Sequence, residues 1–173
     1  STNYDDEEKK LVGGKNGFGI KLVFIFAEWG IVETVDHIRK LKYTQRVENN
    51  LSLIHKPKIE KYTGKPYTKV TWLPDYKRFG LKGMTDDIWN HLQKRAYDIA
   101  GVTNKSMKVK LQDEIIPIKS FEQYVDMYIG EKEVSKRIYQ NNERWECVVA
   151  LSPLDEFAQV SFVNGINTGK GGK

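Results

Sequence analysis

One cysteine, three histidines and five prolines are all that 173 residues offer of these types, and the first two scarcities close off whole classes of function. With Cys147 alone no internal disulfide can form, so nothing points to an oxidising compartment. Cys147 lies in the apolar run Cys147-Val148-Val149-Ala150-Leu151, where a packed thiol is expected rather than a nucleophile. His37, His55 and His91 are scattered, without metal-ligand spacing among themselves or with Cys147, so no metal site is expected in this segment. Long apolar runs are also missing: none approaches bilayer length, and a soluble protein with no membrane partner is expected. There is no signal-peptide pattern, internal repeat or low-complexity tract. The chain begins at Ser1 instead of Met and stops in Gly169-Lys170-Gly171-Gly172-Lys173, so both ends read as cut.

What is present is a globular composition, 39% hydrophobic and 12% aromatic, with a net charge of +5 from 28 basic and 23 acidic residues. That surplus favours polyanionic company, though an ordinary solvated surface explains it equally well. Residues 1–13 are polar, with Asp5, Asp6, Glu7 and Glu8 ahead of Lys9 and Lys10, the pattern of a surface loop. Residues 20–27 are apolar apart from Lys21 and fit a helix or a strand by periodicity. β-Branched and aromatic runs at 30–35, 41–47 and 67–73, separated by Asn49-Asn50 and Lys56-Pro57-Lys58, predict antiparallel strands of one sheet. Ile88, Leu92, Ala96 and Ile99 then recur at helical spacing, with Thr85 or Asp86 as cap and Gly101 as terminator. A hairpin is expected around Gln112-Asp113-Glu114, helix or loop at 120–127, and two strands, 144–151 and 157–163, about the Ser152-Pro153-Leu154-Asp155 turn.

The chemical signal is Gly14-x-x-Gly17-x-Gly19 with Lys21 two residues beyond. Glycine backbone can turn sharply and aim several N–H groups at one phosphate, a following helix adds its positive end, and Lys21 would neutralise terminal phosphate charge. The spacing rejects the P-loop, which needs Lys directly after the last Gly and then Ser or Thr. It also rejects the dinucleotide fingerprint, whose glycine order is reversed here. A glycine cluster by itself is more often a plain turn.

Three further stretches raise it above that. Ser1-Thr2-Asn3 and the acidic run, followed by Gly13-Gly14-Lys15-Asn16-Gly17-Phe18-Gly19-Ile20-Lys21-Leu22, resemble the ATP-lid segment of eukaryotic-type type IIA DNA topoisomerases, members of the Bergerat-fold ATPases. Arg95-Ala96-Tyr97-Asp98-Ile99-Ala100-Gly101, Tyr124-Val125-Asp126-Met127-Tyr128 and Ser161-Phe162-Val163-Asn164-Gly165-Ile166-Asn167-Thr168 resemble later blocks of the same family in the same order. The resemblance implies an α/β fold: residues 1–119 as the C-terminal half of a Bergerat-type ATPase sandwich, and 120–173 as the start of a transducer domain. It also implies ATP and Mg2+ as cofactors, double-stranded DNA and a homodimeric second copy as partners, and a nuclear location, or a cytoplasmic virus factory if the source is viral.

Carried over by position, the ATP-binding residues are Ser1, Thr2 and Asn3, matching the family's Ser-Ser-Asn contacts, and Gly14, Lys15, Asn16, Gly17, Phe18, Gly19, Ile20 and Lys21, matching its phosphate loop. Lys15 stands for a usual Arg, Phe18 for Tyr and Ile20 for Ala; lysine cannot reproduce a bidentate guanidinium contact and Phe18 lacks the hydroxyl, which suits a divergent or viral enzyme. The family's general base, its metal ligands and its DNA-cleaving tyrosine lie outside this segment, so no catalytic residue is assigned within it. Arg95 reads as bridging to a carboxylate, with Ala96 and Ile99 packed on a sheet, and the basic stretches at 56–58 and 61–69 as solvated surface rather than DNA contacts. Trp72, Trp89 and Trp145 read as core or interface anchors. Two rivals remain: another Bergerat-fold ATPase of mismatch-repair or chaperone type, and a non-enzymatic basic nucleic-acid-binding module.

Overall fold

A computed structural model of the chain describes residues 13, 14 and 17–169, which form two compact units, one holding 14 and 17–84 and the other 13 and 85–169.

The first unit opens with helix α1 (Gly19–Ile25), which takes most of the run at 20–27, followed by β1 (Ala27–Asp36), which takes its last residue, and β2 (Leu41–Glu48). Next come β3 (Leu53–Ile54), β4 (Lys58–Lys61), β5 (Thr68–Pro74) and a 3-10 turn at Tyr76–Phe79. The strands make one antiparallel sheet in the order β3-β2-β1-β5, with β4 also on β2. β3 pairs with Val47 and Glu48 and β4 with 41–44, so the two share one edge of β2. Pro57, which has no N–H for the ladder, falls in the break between them. Asp36 ends β1 by accepting from the N–H groups of Ile38 and Arg39, both at 3.0 Å, an Asx turn that sends the chain back into β2. The core is small: among the described residues of this unit Phe24, Ala27, Val35 and Val47 are the buried hydrophobics. Gly30 lies opposite Val47 and Trp72, and a Cβ there would stand 2.3 Å from Phe24 Cε1, so the missing side chain is what lets α1 lie on the sheet.

In the second unit α2 (Asp86–Val102) starts at Thr85, whose hydroxyl accepts from Ile88 N–H at 3.3 Å, with Asp86 and Asp87 in the first turn where the helix dipole favours negative charge. Gly101 does not end it: the helix runs to Val102, and Gly101 is buried because a Cβ would come within 2.5 Å of the Tyr124 ring. The hairpin at 112–113 is present but short, β6 (Lys110–Leu111) with β7 (Glu114–Ile115). Helix α3 (Phe121–Ile129) occupies the stretch that fitted helix or loop, capped by Ser120, whose Oγ accepts from Gln123 N–H while Gln123 Oε1 accepts from Lys119 N–H at 2.8 Å.

The last strands pair differently from expectation. β8 (Arg137–Asn141) pairs with β9 (Glu146–Ala150), and β10 (Phe162–Val163) with β11 (Ile166–Asn167); 144–151 and 157–163 do not pair with each other. Asn142 Oδ1 closes the first hairpin, accepting from Arg144 and Trp145 N–H groups at 2.9 and 2.8 Å. Asn164 and Gly165, with φ 49° and 77°, turn the second, the Asn-Gly pairing that two-residue hairpins favour. Arg137, its side chain 1% exposed, ties β8 to α3 through Asp126 Oδ1 at 2.5 Å and the Gly130 carbonyl. Period-two alternation turns Cys147 outward, so the packed-thiol expectation fails: Val148 and Ala150 face inward and the thiol is exposed. Ile99 is 51% exposed rather than packed, and none of the four tryptophans is buried.

Candidate nucleotide-binding site

Of the residues matched to the nucleotide loop, Gly14, Gly17, Phe18, Gly19, Ile20 and Lys21 are described; Ser1, Thr2, Asn3, Lys15 and Asn16 lie outside the described residues. Gly17 enters the helix with φ 67°, a left-handed conformation that glycine adopts without steric cost. Phe18 takes the N-cap position and makes no side-chain cap, because a phenyl ring carries no acceptor. The first α-helical bond joins Leu22 N–H to the Phe18 carbonyl at 2.9 Å, so the N–H groups of Gly19, Ile20 and Lys21 lie ahead of it, at the positive end of the helix. A Cβ at Gly14 or Gly19 would meet nothing within 4 Å.

Lys21 is exposed and carries its ammonium 5.9 Å from the Phe18 ring centroid. Its helix is held from behind: the Phe24 ring seats on Gly30, and Asp75 N–H donates to the Phe26 carbonyl at 2.9 Å. The Arg78 guanidinium lies 5.1 Å over the Phe26 ring. A rigid base under an uncapped, glycine-flanked helix start is what main-chain recognition of an anion needs. Among the described residues no three His, Cys, Asp or Glu side chains converge as a metal site.

A second constellation was not legible as one. Asp98, 2% exposed, accepts from Lys94 Nζ at 2.9 and 3.0 Å, Arg95 Nη1 at 3.1 Å and the Tyr124 hydroxyl at 2.7 Å. Burial by itself would raise this carboxyl, but the donors from Lys94, Tyr124 and Arg95 outweigh it and hold Asp98 below the usual carboxylate value. Burial, then the bonds to Tyr128 and Asp98, push the Tyr124 phenol far above its ordinary range, so it stays protonated as a donor. Tyr124 also meets Tyr128 hydroxyl to hydroxyl at 2.8 Å and Phe162 edge to face at 5.8 Å between centroids. Gly101, Asp98, Tyr124, Tyr128 and Phe162 thus bring together the three later blocks that carried the resemblance. The expected Arg95–carboxylate bridge is present within this cluster.

No protein-family model matches the chain. Its α/β architecture of antiparallel sheets and few helices is that of topoisomerase ATPase regions. It superposes on the ATPase region of Saccharomyces cerevisiae topoisomerase II with a TM-score of 0.90 at 44% identity, over 98% of this chain and 45% of that one. The ATPase and transducer domains of Balamuthia mandrillaris DNA topoisomerase II match with a TM-score of 0.88 at 36% identity, over 97% and 43%. The sequence is 46% identical to a probable DNA topoisomerase 2 of Dictyostelium discoideum and 42% identical to DNA topoisomerase 2 of Acanthamoeba polyphaga mimivirus, each over 99% of this chain. The chain is a segment of the eukaryotic-type type IIA DNA topoisomerase family. It spans 11% and 14% of the lengths of those two relatives.

Proposed function

We propose that the chain is the triphosphate-gripping part of the ATP-binding and transducer region of a type II DNA topoisomerase, which uses ATP binding and hydrolysis to pass one duplex through another and so relax or decatenate DNA. In this reading the main chain of residues 14–21 wraps the phosphates, Lys21 neutralises terminal charge, and Ser1, Thr2 and Asn3 touch ribose and phosphate. Mg2+ is held by ligands elsewhere in the parent chain, two copies dimerise through the ATPase region, and the protein works in the nucleus or, if viral, in a cytoplasmic factory. The segment alone is not expected to turn over ATP. We further propose that the ATP-binding domain passes into the transducer near Lys119-Ser120, on the loop between β7 and α3 inside the second compact unit.

The observation that carries the proposal is the uncapped start of α1 behind Gly17, on a chain whose relatives named above are all topoisomerases of this type. Neither a mismatch-repair or chaperone ATPase nor a non-enzymatic module accounts for homology along the whole segment. The test is equilibrium binding of a non-hydrolysable ATP analogue, with ATP turnover, in the full-length parent. Lys21→Ala removes a charge-assisted contact and should weaken binding about tenfold or more. Gly19→Val, which projects a branched side chain among the donors, should weaken it at least as much. Unchanged affinity and turnover in both variants would overturn the assignment.

A further inference from the structure

The junction between α1 and β1 is fastened by groups that the nucleotide reading has not used. Three consecutive carbonyls run through it, and each accepts from a different donor: Phe26 from Asp75 N–H at 2.9 Å, Ala27 from Asn50 N–H at 3.1 Å and Glu28 from Asn49 N–H at 2.8 Å. The donors come from two turns, one after β2 and one after β5, the strands that flank β1. Asn49, Asn50 and Leu51 hold φ of 52°, 57° and 68°, a left-handed geometry that asparagine tolerates better than most side chains. Asp75 caps the 3-10 turn, its Oδ1 accepting from Arg78 N–H at 3.2 Å. Its other oxygen, Oδ2, accepts from Asn50 Nδ2 at 3.1 Å, so the two turns are tied to each other across the end of β1. All these groups belong to the first unit, and both side chains of the bridge are half-buried.

We propose that Asn50 and Asp75 are a pair of positioning residues for the nucleotide loop: their bridge locks the junction and so sets the direction of α1 and the place of its first turn. This deepens the nucleotide reading of residues 17–21 and rests on it. The Phe24 ring on Gly30 holds α1 near its last turn only, which leaves the direction of the helix to the junction. Seven residues of helix span about 10 Å, so a tilt of about 10° at the junction moves the first turn by roughly 2 Å. A binding site keeps its geometry only within about 0.5 Å. Neither side chain grips phosphate itself; both act through α1, and their influence falls on how tightly ATP is held, with turnover spared.

The experiment exchanges the two partners in the full-length parent enzyme, reading the KM for ATP, kcat and the Kd of adenylyl imidodiphosphate. Asn50→Asp keeps a residue that tolerates the turn but sets a second carboxylate against Asp75, and is expected to raise Kd and KM about fivefold with kcat within about twofold of the parent. Adding Asp75→Asn restores the bridge with its donor reversed, because the new amide keeps an oxygen for Arg78 N–H and turns its NH2 toward the new carboxylate. The exchanged pair should return Kd to within about twofold of the parent. A role confined to stability would lower the folded fraction, which reduces kcat and leaves KM in place. Asn50→Gly keeps the left-handed turn and drops only the bridge; it should raise Kd about threefold and carries the test should Asn50→Asp fail to fold. No rescue in the exchanged pair, losses confined to kcat, or an unchanged Kd in either single variant at Asn50 would each overturn the proposal. Lys21→Ala separates the two levels of inference. If it weakens analogue binding while the variants at Asn50 do not, only the clamp is wrong; if it leaves binding unchanged, the nucleotide reading itself has failed.

Discussion

Replacing Asp98 by asparagine removes the charge on which the second unit's helices converge. The carboxylate accepts four hydrogen bonds, from Lys94 twice, Arg95 and Tyr124. An amide keeps one oxygen and turns its NH2 toward groups that can only donate or are already committed. Lys94 and Arg95 have side chains 49% and 40% exposed, so their ion pairs are screened and contribute about 1 kcal/mol between them. The Tyr124 bond is buried and charge-assisted, worth about 2 kcal/mol. Asp98→Asn should therefore destabilise the packing of α2 on α3 by about 3 kcal/mol, and Tyr124→Phe by about 2 kcal/mol. The double variant should cost at least about 1 kcal/mol less than the sum, since both remove the same bond. Native-state hydrogen exchange of α2 amides in the parent ATPase region reads this local opening directly.

The same bonds set a pH signature. The folded carboxyl of Asp98 lies below its unfolded value of about 3.9, so its stabilisation is complete above that value and is lost as pH falls through the folded one. The gap between parent and Asp98→Asn should be flat above about pH 5 and close below about pH 4. Tyr124, whose folded phenol lies far above its unfolded value of about 10, costs stability only as pH rises past about 10, well away from this acid window. A loss under about 0.5 kcal/mol, additive single variants, or a gap that widens in acid would refute the reasoning.

Gly30→Ala should destabilise the first unit by about 1–3 kcal/mol, because the new methyl meets the Phe24 ring at 2.3 Å. Phe24→Leu in the same chain should relieve part of that, as read by urea unfolding; full additivity would show that α1 does not depend on this close approach. Phe157 and Leu151 are 92% and 91% exposed in this segment, an unusual load of bare apolar surface. Phe157→Ser with Leu151→Ser should lower both the 8-anilinonaphthalene-1-sulfonate fluorescence and the light scattering of the 173-residue chain, and no change would mean that these side chains are not its adhesive surface.

Local signals were legible where they were complete in the sequence. Ile88, Leu92 and Ala96 with Thr85 gave α2 to within a residue at its start, and the runs at 41–47 and 67–73 gave β2 and β5. Ser120 and Gln123 also spelled a capping box, which would have resolved the stretch at 120–127 as helix. Asn164-Gly165 spelled a tight turn that would have split 157–163 from 144–151. Gly101 misled because a glycine near a helix end has two uses, stopping the helix or admitting a neighbour, and only the Tyr124 ring decides between them. Asp98 was opaque for the same reason: its burial depends on a tyrosine supplied by another helix, and on a helical wheel it is one acidic residue beside two basic ones. In the loop the spacing of glycines was readable, while the close approach of Gly13 to Ile166 joins residues at opposite ends of the chain.

On the proposed reading, the departures of this loop from the family's pattern follow from a grip made by main-chain atoms. Phe18 and Ile20 lie at the start of α1, 56% and 40% exposed, and among the described residues the Phe18 ring meets the Lys21 ammonium. Neither side chain supports the helix, since that work falls to Phe24 against Gly30 and to the Asp75 bond at Phe26. Their main-chain N–H groups point the same way whether the side chain is phenylalanine or tyrosine, isoleucine or alanine. At Gly17 the φ of 67° leaves no comparable latitude, because a side chain there would be strained in every rotamer. A site that grips phosphate with backbone can let side chains vary on its outer surface while holding its glycines fixed. On the proposed nucleotide reading the constraint falls on Gly17, for its backbone conformation, and on Lys21, for its charge, rather than on the residues that differ.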